Sequence, residues 1–149
     1  MKKLLILSTA LFLFSCSERE KETVTETGSI TIEQGWARPT AQGLMSAAYF
    51  DLVNTTNLTD TLISAQSSVS DNVQVHETYE TEDGLMGMRQ QPSVALAKES
   101  TTSFKQGGLH IMIIQPKVDL IEGDSLSITL SFSSGLELEA RLPIGSQPN

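Results

Sequence analysis

Cysteine is nearly absent: Cys16 stands alone in 149 residues. That excludes an intrachain disulfide, a CxxC redox pair and a thiolate-built zinc site. Histidine is almost as scarce, with only His76 and His110. A three-histidine zinc site lacks its third ligand. A blue-copper site would need a mature thiolate beside both imidazoles. Positive charge is short as well: 10 Lys and Arg face 18 Asp and Glu, for a net charge of −8. Nucleic acid demands clustered Lys and Arg against its phosphates, so it is excluded as a partner. An acidic surface suits cations and basic partners instead. The most apolar stretch, Leu4–Phe14, spans 11 residues, against the ~20 that a membrane-crossing helix needs.

That stretch follows Met1, Lys2 and Lys3 and ends at Ser15 and Cys16. A basic start, a short apolar run and a small residue before a cysteine form the pattern of a secretory leader with a lipobox-like end. Residues 1–15 are expected to be a lipoprotein-type signal peptide, and Cys16 the lipidated first residue of the mature chain. A plain signal peptide with an incidental cysteine is the alternative. Removal of the leader leaves 149 − 15 = 134 residues and, without Lys2 and Lys3, a charge of −8 − 2 = −10. A chain of that length makes one domain and buries roughly two-thirds of its unfolded surface without disulfides. Residues 16–29 are charged and Thr-rich, too poor in apolar side chains to fold, and read as a flexible tether. The expected location is the bacterial cell envelope, on the periplasmic side, lipid-anchored to a membrane.

Residues 30–144 alternate like strands and show no helical period. The expected strands are Ser29–Glu33, Ala47–Val53, Thr61–Ala65, Asn72–Tyr79, Leu85–Arg89, Ser93–Ala97, Leu109–Ile114, Ser125–Phe132 and Leu136–Leu142. Turn residues such as Glu82-Asp83-Gly84 and Glu122-Gly123-Asp124 separate them. Short strands with turns at this spacing predict an all-β, antiparallel β-sandwich. Residues 145–149 form a C-terminal tail.

Both histidines fall at polar positions of these strands. His110 and Met112 are two apart and share a face, while Ile111 and Ile113 turn to the core. His76 shares a face with Asn72 and Gln74, and the turn at Glu82–Gly84 folds Met86 and Met88 back beside it. Two imidazoles and one or two thioethers can thus converge. Such donors suit Cu(I), which is soft; zinc and iron favour thiolate or carboxylate, and Cu(II) favours nitrogen and oxygen. Thioethers also need no deprotonation. Met45 reads as packing.

The residues match a known family. The chain resembles the PCu(A)C-type periplasmic copper chaperones, whose motif is His, ten residues, Met, 21 residues, His-x-Met. From Met88 to His110 there are 110 − 88 − 1 = 21 intervening residues, and His110-Ile111-Met112 supplies the His-x-Met. Gly35–Pro39, Ser46–Tyr49, Val75–Thr78, Asp83–Arg89, Gly107–Met112 and Glu122–Asp124 resemble the family's flanking segments. One departure stands out: 88 − 76 − 1 = 11 residues separate His76 from Met88, one more than in the motif. An extra residue in the Tyr79–Asp83 loop accounts for it. The resemblance therefore implies a metal site of His76, Met88, His110 and Met112, with Met86 as an alternative to Met88. It further implies a cupredoxin-like sandwich that carries Cu(I) and passes it on, toward a cytochrome c oxidase subunit or another copper chaperone, and that is not an enzyme. A metal-free envelope interaction module is the second reading. A hydrolase is the third, though no Gly-x-Ser-x-Gly elbow occurs.

Overall fold

The structure, a computed structural model, describes residues 28–147. The expected signal peptide, Cys16 and the tether up to residue 27 lie outside the described residues. Ten strands form among those described: β1 Ile30–Ala37, β2 Met45–Asn54, β3 Asp60–Gln66, β4 Asn72–Glu80, β5 Met86–Gln90, β6 Val94–Leu96, β7 Ser100–Phe104, β8 Leu109–Ile114, β9 Ser125–Phe132 and β10 Glu137–Pro143. They make two sheets, ordered β1-β2-β7-β8-β4-β5 and β10-β9-β3-β6. The predicted antiparallel β-sandwich is the fold that forms.

The layers meet through alternating apolar residues. On β9, Leu126, Ile128, Leu130 and Phe132 are at most 2% exposed, with Ser or Thr between them. Opposite them lie Ala48, Phe50 and Leu52 of β2, Val75 of β4, and Ile111 and Ile113 of β8. Fully burying each large aliphatic side chain contributes roughly 1.5–3 kcal/mol.

Two features went unforeseen. Strand β7 is almost wholly polar, and only Phe104 reveals it, buried and stacked on Phe50 at 4.7 Å between centroids. It pairs with the second half of β2, while β8 pairs with the first half. The two therefore run end to end along β2, with the loop Lys105–Gly108 between them. The other feature is a bulge in β1, which runs past the expected end at Glu33. Its register moves from Glu33↔Asp51 to Trp36↔Tyr49, so one extra residue is accommodated. Gln34 takes φ 51°, and at Gly35 the Leu142 Cδ2 lies 2.4 Å from where a Cβ would stand. Before the bulge Ile30 and Ile32 face the core; after it Ala37 does, and Trp36 faces the opposite side of the sheet.

One carboxylate ties the second sheet's end. Asp60 Oδ1 accepts from the Thr61 amide at 2.7 Å, the Ser133 hydroxyl at 2.9 Å and the Ser134 amide at 3.2 Å, and Oδ2 accepts from the Ser134 hydroxyl at 2.6 Å. Burial opposes its charge, but the bonds from Ser134, Thr61 and Ser133 outweigh that and hold its pKa below the usual carboxylate range. A lowered folded pKa adds stability that is present at neutral pH and lost as acid titrates the group. Asp60→Asn should therefore melt below the wild type at pH 7, and the gap should narrow as the pH falls below the usual carboxylate range. Thermal melts across that range check this.

Candidate metal centre

The candidate residues sit on the outer face of the six-stranded sheet. Ile111 and Ile113 are 0% exposed, and alternation then sends His110 and Met112 out of the opposite face. Strand β8 pairs with β4 so that His110 faces His76 and Met112 faces Gln74. Strand β4 pairs with β5 so that Thr78 faces Met88 and Glu80 faces Met86. Residues directly opposite share a face. The two histidines are thus side by side, ring centroids 6.0 Å apart. Met112 flanks the pair one step along the strands in one direction. Met88 flanks it one step in the other, on the neighbouring strand. Met88, His110 and Met112 line one recess of about 310 Å³ together with Met45 and Tyr49. Met86 lies one residue pair farther out than Met88, and neither Met86 nor His76 lines the recess.

Each imidazole has one nitrogen committed and one left over. His110 Nδ1–H donates to the Gly108 carbonyl at 3.0 Å, so its Nε2 keeps the lone pair. His76 Nε2–H donates to Gln74 Oε1 at 2.8 Å, and the Gln74 amide nitrogen donates to Asn72 Oδ1 at 2.8 Å. That relay fixes the amide and hence the ring. His76 Nδ1 is then buried with no hydrogen-bond partner. An unmet buried acceptor costs about 1–3 kcal/mol, and a lone pair left free in this way is what a metal-binding imidazole presents. Burial, followed by the neighbouring His110, lowers the His76 pKa below the ordinary histidine value. The shift favours the neutral ring, the form in which an imidazole binds a metal.

The sequence places His110 on a polar face; the structure shows that this face is covered. His110 is only 4% exposed. Tyr49 lies 6.3 Å from it between ring centroids, and Trp36 lies 4.8 Å behind Tyr49. Neither aromatic, nor the Gly108 carbonyl, was legible as part of the site. Gln74 was visible on the face of His76, but its orienting role was not. The thioethers are more open: Met88 is 52% and Met86 64% exposed, and Met112 is half-buried. Their hairpin is braced from the other face. Gly87 leaves room for the Tyr79 ring, 2.7 Å from where a Cβ would stand, and Arg89 sits 4.8 Å over that ring while pairing with Glu77 at 2.7 Å.

Among the described residues, no three of His, Cys, Asp or Glu come together as a metal site. The side chains that flank the histidine pair along the strands include the thioethers of Met112 and Met88. Two imidazoles and thioethers favour a soft monovalent cation over zinc or calcium.

The chain belongs to the LpqE-like family, described as "Putative lipoprotein LpqE-like", which matches residues 30–144. It is similar to the putative lipoprotein Lxx21020 of Leifsonia xyli subsp. xyli, 32% identical over 116 residues that cover 77% of this chain and 69% of that protein. It is also similar to the uncharacterized protein RP573 of Rickettsia prowazekii, 30% identical over 125 residues, 81% of this chain and 69% of that one. Among solved structures it resembles the copper-bound PCuAC domain from PmoF2, with TM-score 0.66 and 22% identity over 81% of this chain and 97% of that domain. It also resembles the solution structure of CuI-DR1885 from Deinococcus radiodurans, with TM-score 0.60 and 21% identity over 85% and 84% of the two chains. At these identities the likeness is one of fold, the cupredoxin-like sandwich of PCuAC domains.

The two hydrogen-bond patterns predict opposite tautomers. Nitrogen-15 NMR of the metal-free protein should show His110 protonated at Nδ1 and His76 at Nε2. His76 should titrate below the ordinary histidine value. Matching tautomers at both rings would contradict the arrangement.

Proposed function

We propose that this chain is an envelope Cu(I) carrier that binds one ion and hands it on by ligand exchange. The observation that carries this reading is the His76–His110 pair, each ring with one nitrogen tied off and one lone pair free, set between thioethers. His76 Nδ1 and His110 Nε2 would supply nitrogen, and Met112 and Met88 sulfur. Met86 is a substitute for Met88. Its greater distance from the recess speaks for Met88, in agreement with the spacing of the resemblance. The fold is that of domains whose solved structures include copper-bound forms.

No bond of a substrate is made or broken, so the protein's task is retention and release. Neutral thioethers coordinate without losing a proton, and the lowered pKa of His76 favours its neutral, metal-binding form. Strand β5 is the sheet's edge, so Met88 is a donor that an incoming ligand can displace first. The recipient would be a copper-accepting envelope protein, such as a cytochrome c oxidase subunit or another copper chaperone. Lipidation at Cys16 would hold the carrier at a membrane on the periplasmic side. The family's description as lipoproteins supports that anchor.

Anaerobic competition with a Cu(I) chelator tests the reading. The wild type should take up about one Cu(I) per chain and bind zinc much more weakly. His110→Ala should abolish stoichiometric uptake. No Cu(I) uptake by the wild type would leave the metal-free interaction module. Met88→Leu, which keeps bulk and removes sulfur, should weaken binding at least ~10-fold, or about 1.4 kcal/mol. Met86→Leu should cost less, and the reverse order would make Met86 the ligand.

The anchor is tested separately. Cys16→Ala should release the protein from the membrane fraction or block its processing. Unchanged fractionation would remove the lipid anchor from the proposal.

A further inference from the structure

Met45 does not pack as its sequence position suggests. It opens β2, pairs with Ile114 and leaves its side chain 61% exposed. Its neighbour Ala47 pairs with Met112, so Met45 and Met112 are diagonal neighbours on one face of adjacent strands. Such neighbours lie roughly 7–8 Å apart, within reach of long side chains. Met45 also lines the same recess as Met88, His110 and Met112. Its backbone is held: the Gln115 amide donates to the Leu44 carbonyl at 2.8 Å, and the Arg38 amide to the Ala47 carbonyl at 2.9 Å. A rigid strand thus presents an exposed thioether where a polar side chain would be more soluble.

The geometry points to Met45 as an outer Cu(I) donor, the position on the β2 side of the recess through which the ion is received or released. This rests on the Cu(I)-carrier reading above. The step is an exchange of neutral donors: one Cu–S bond forms to Met45 as a bond to a resident donor breaks. No electron and no proton moves. An ion that gains an outer thioether before losing an inner ligand is never left under-coordinated, so its exchange is faster. Met45 serves kinetics first, whereas Met112 and the histidines serve retention.

The test uses the protein labelled with carbon-13 at the methionine methyl groups, and Ag(I) as a diamagnetic soft probe. On titration, the Met112 and Met88 methyl signals should shift first, and the Met45 methyl should follow with excess ion. In parallel, the rate of Cu(I) transfer to a competing chelator is measured. Met45→Leu should slow transfer by about fivefold while weakening resting affinity by less than about threefold, since exchange and equilibrium need not share a ligand. A Met45 methyl that stays still while Met112 moves, or an unchanged transfer rate, overturns the assignment. An affinity loss as large as that of Met112→Leu also overturns it, because Met45 would then be a resident ligand. If no methionine methyl moves in the wild type, the carrier reading itself fails, and Met45 falls with it. Met45 is exposed, so its replacement by leucine leaves the core intact.

Discussion

The register of β8 is the constraint on which the site depends. Ile111 and Ile113 are completely buried, and β8 lies between β2 and β4. Side chains alternate with period two, so a slip of one residue would exchange the two isoleucines for His110 and Met112. That would bury an imidazole in the aliphatic core and expose two isoleucines, at a cost of several kcal/mol. The hydrophobic core thus determines which way the donors point. The same register aligns His110 with His76, because Val75 must also face inward beside Ile111. The histidine pair is a consequence of packing on the other side of the sheet.

Burial on the outer face then shapes the chemistry. Tyr49 and Trp36 cover His110, and two carbonyl acceptors, Gly108 and Gln74, each commit one imidazole nitrogen. At His76 desolvation disfavours the imidazolium form, and at each ring the nitrogen that makes no hydrogen bond is the one open to a metal. Carboxylates are abundant in the sequence but do not gather with the histidines into a metal site among the described residues. The acidic charge of the chain acts at long range, and the local donors are neutral.

Much of this was legible in the sequence, and the reasons for the rest are physical. Alternation gave β4, β8 and β9, since each has a clean apolar period. It could not give β7, whose Ser100–Ser103 run carries no apolar period and is held by its neighbours. Nor could it place Trp36. Extrapolating from Ile30 and Ile32 sends Trp36 into the core, and only the bulge at Gln34–Gly35 turns it toward Tyr49. Pairing from His76↔Gln90 to Glu80↔Met86 is regular, so the β4–β5 hairpin carries no bulge between these registers. Strand β4 runs on through Glu80, so the turn begins at Thr81, where the amide bonds to the Leu85 carbonyl at 2.7 Å. Met45 was misread because its neighbours Ser46–Phe50 are all buried, whereas it points out at the start of the strand.

The proposed donors differ in exposure in an order that would matter for a carrier. His110 is 4% exposed, Met112 half-buried, Met88 52% and Met45 61% exposed. The imidazoles lie toward the middle of the sheet, where strands on both sides fix them. The open thioethers flank them on β5 at the edge and on β2 across the recess. An ion held by all inner donors would be retained but reached slowly; one held only by outer donors would be lost to any chelator. Grading the donors from rigid and covered to mobile and open separates the two demands. In the proposed carrier, affinity would rest with groups that the core has fixed, and exchange with groups that solvent and a partner can reach. Methionine suits the outer positions because its flexible, uncharged side chain can follow a departing ion without a change of protonation.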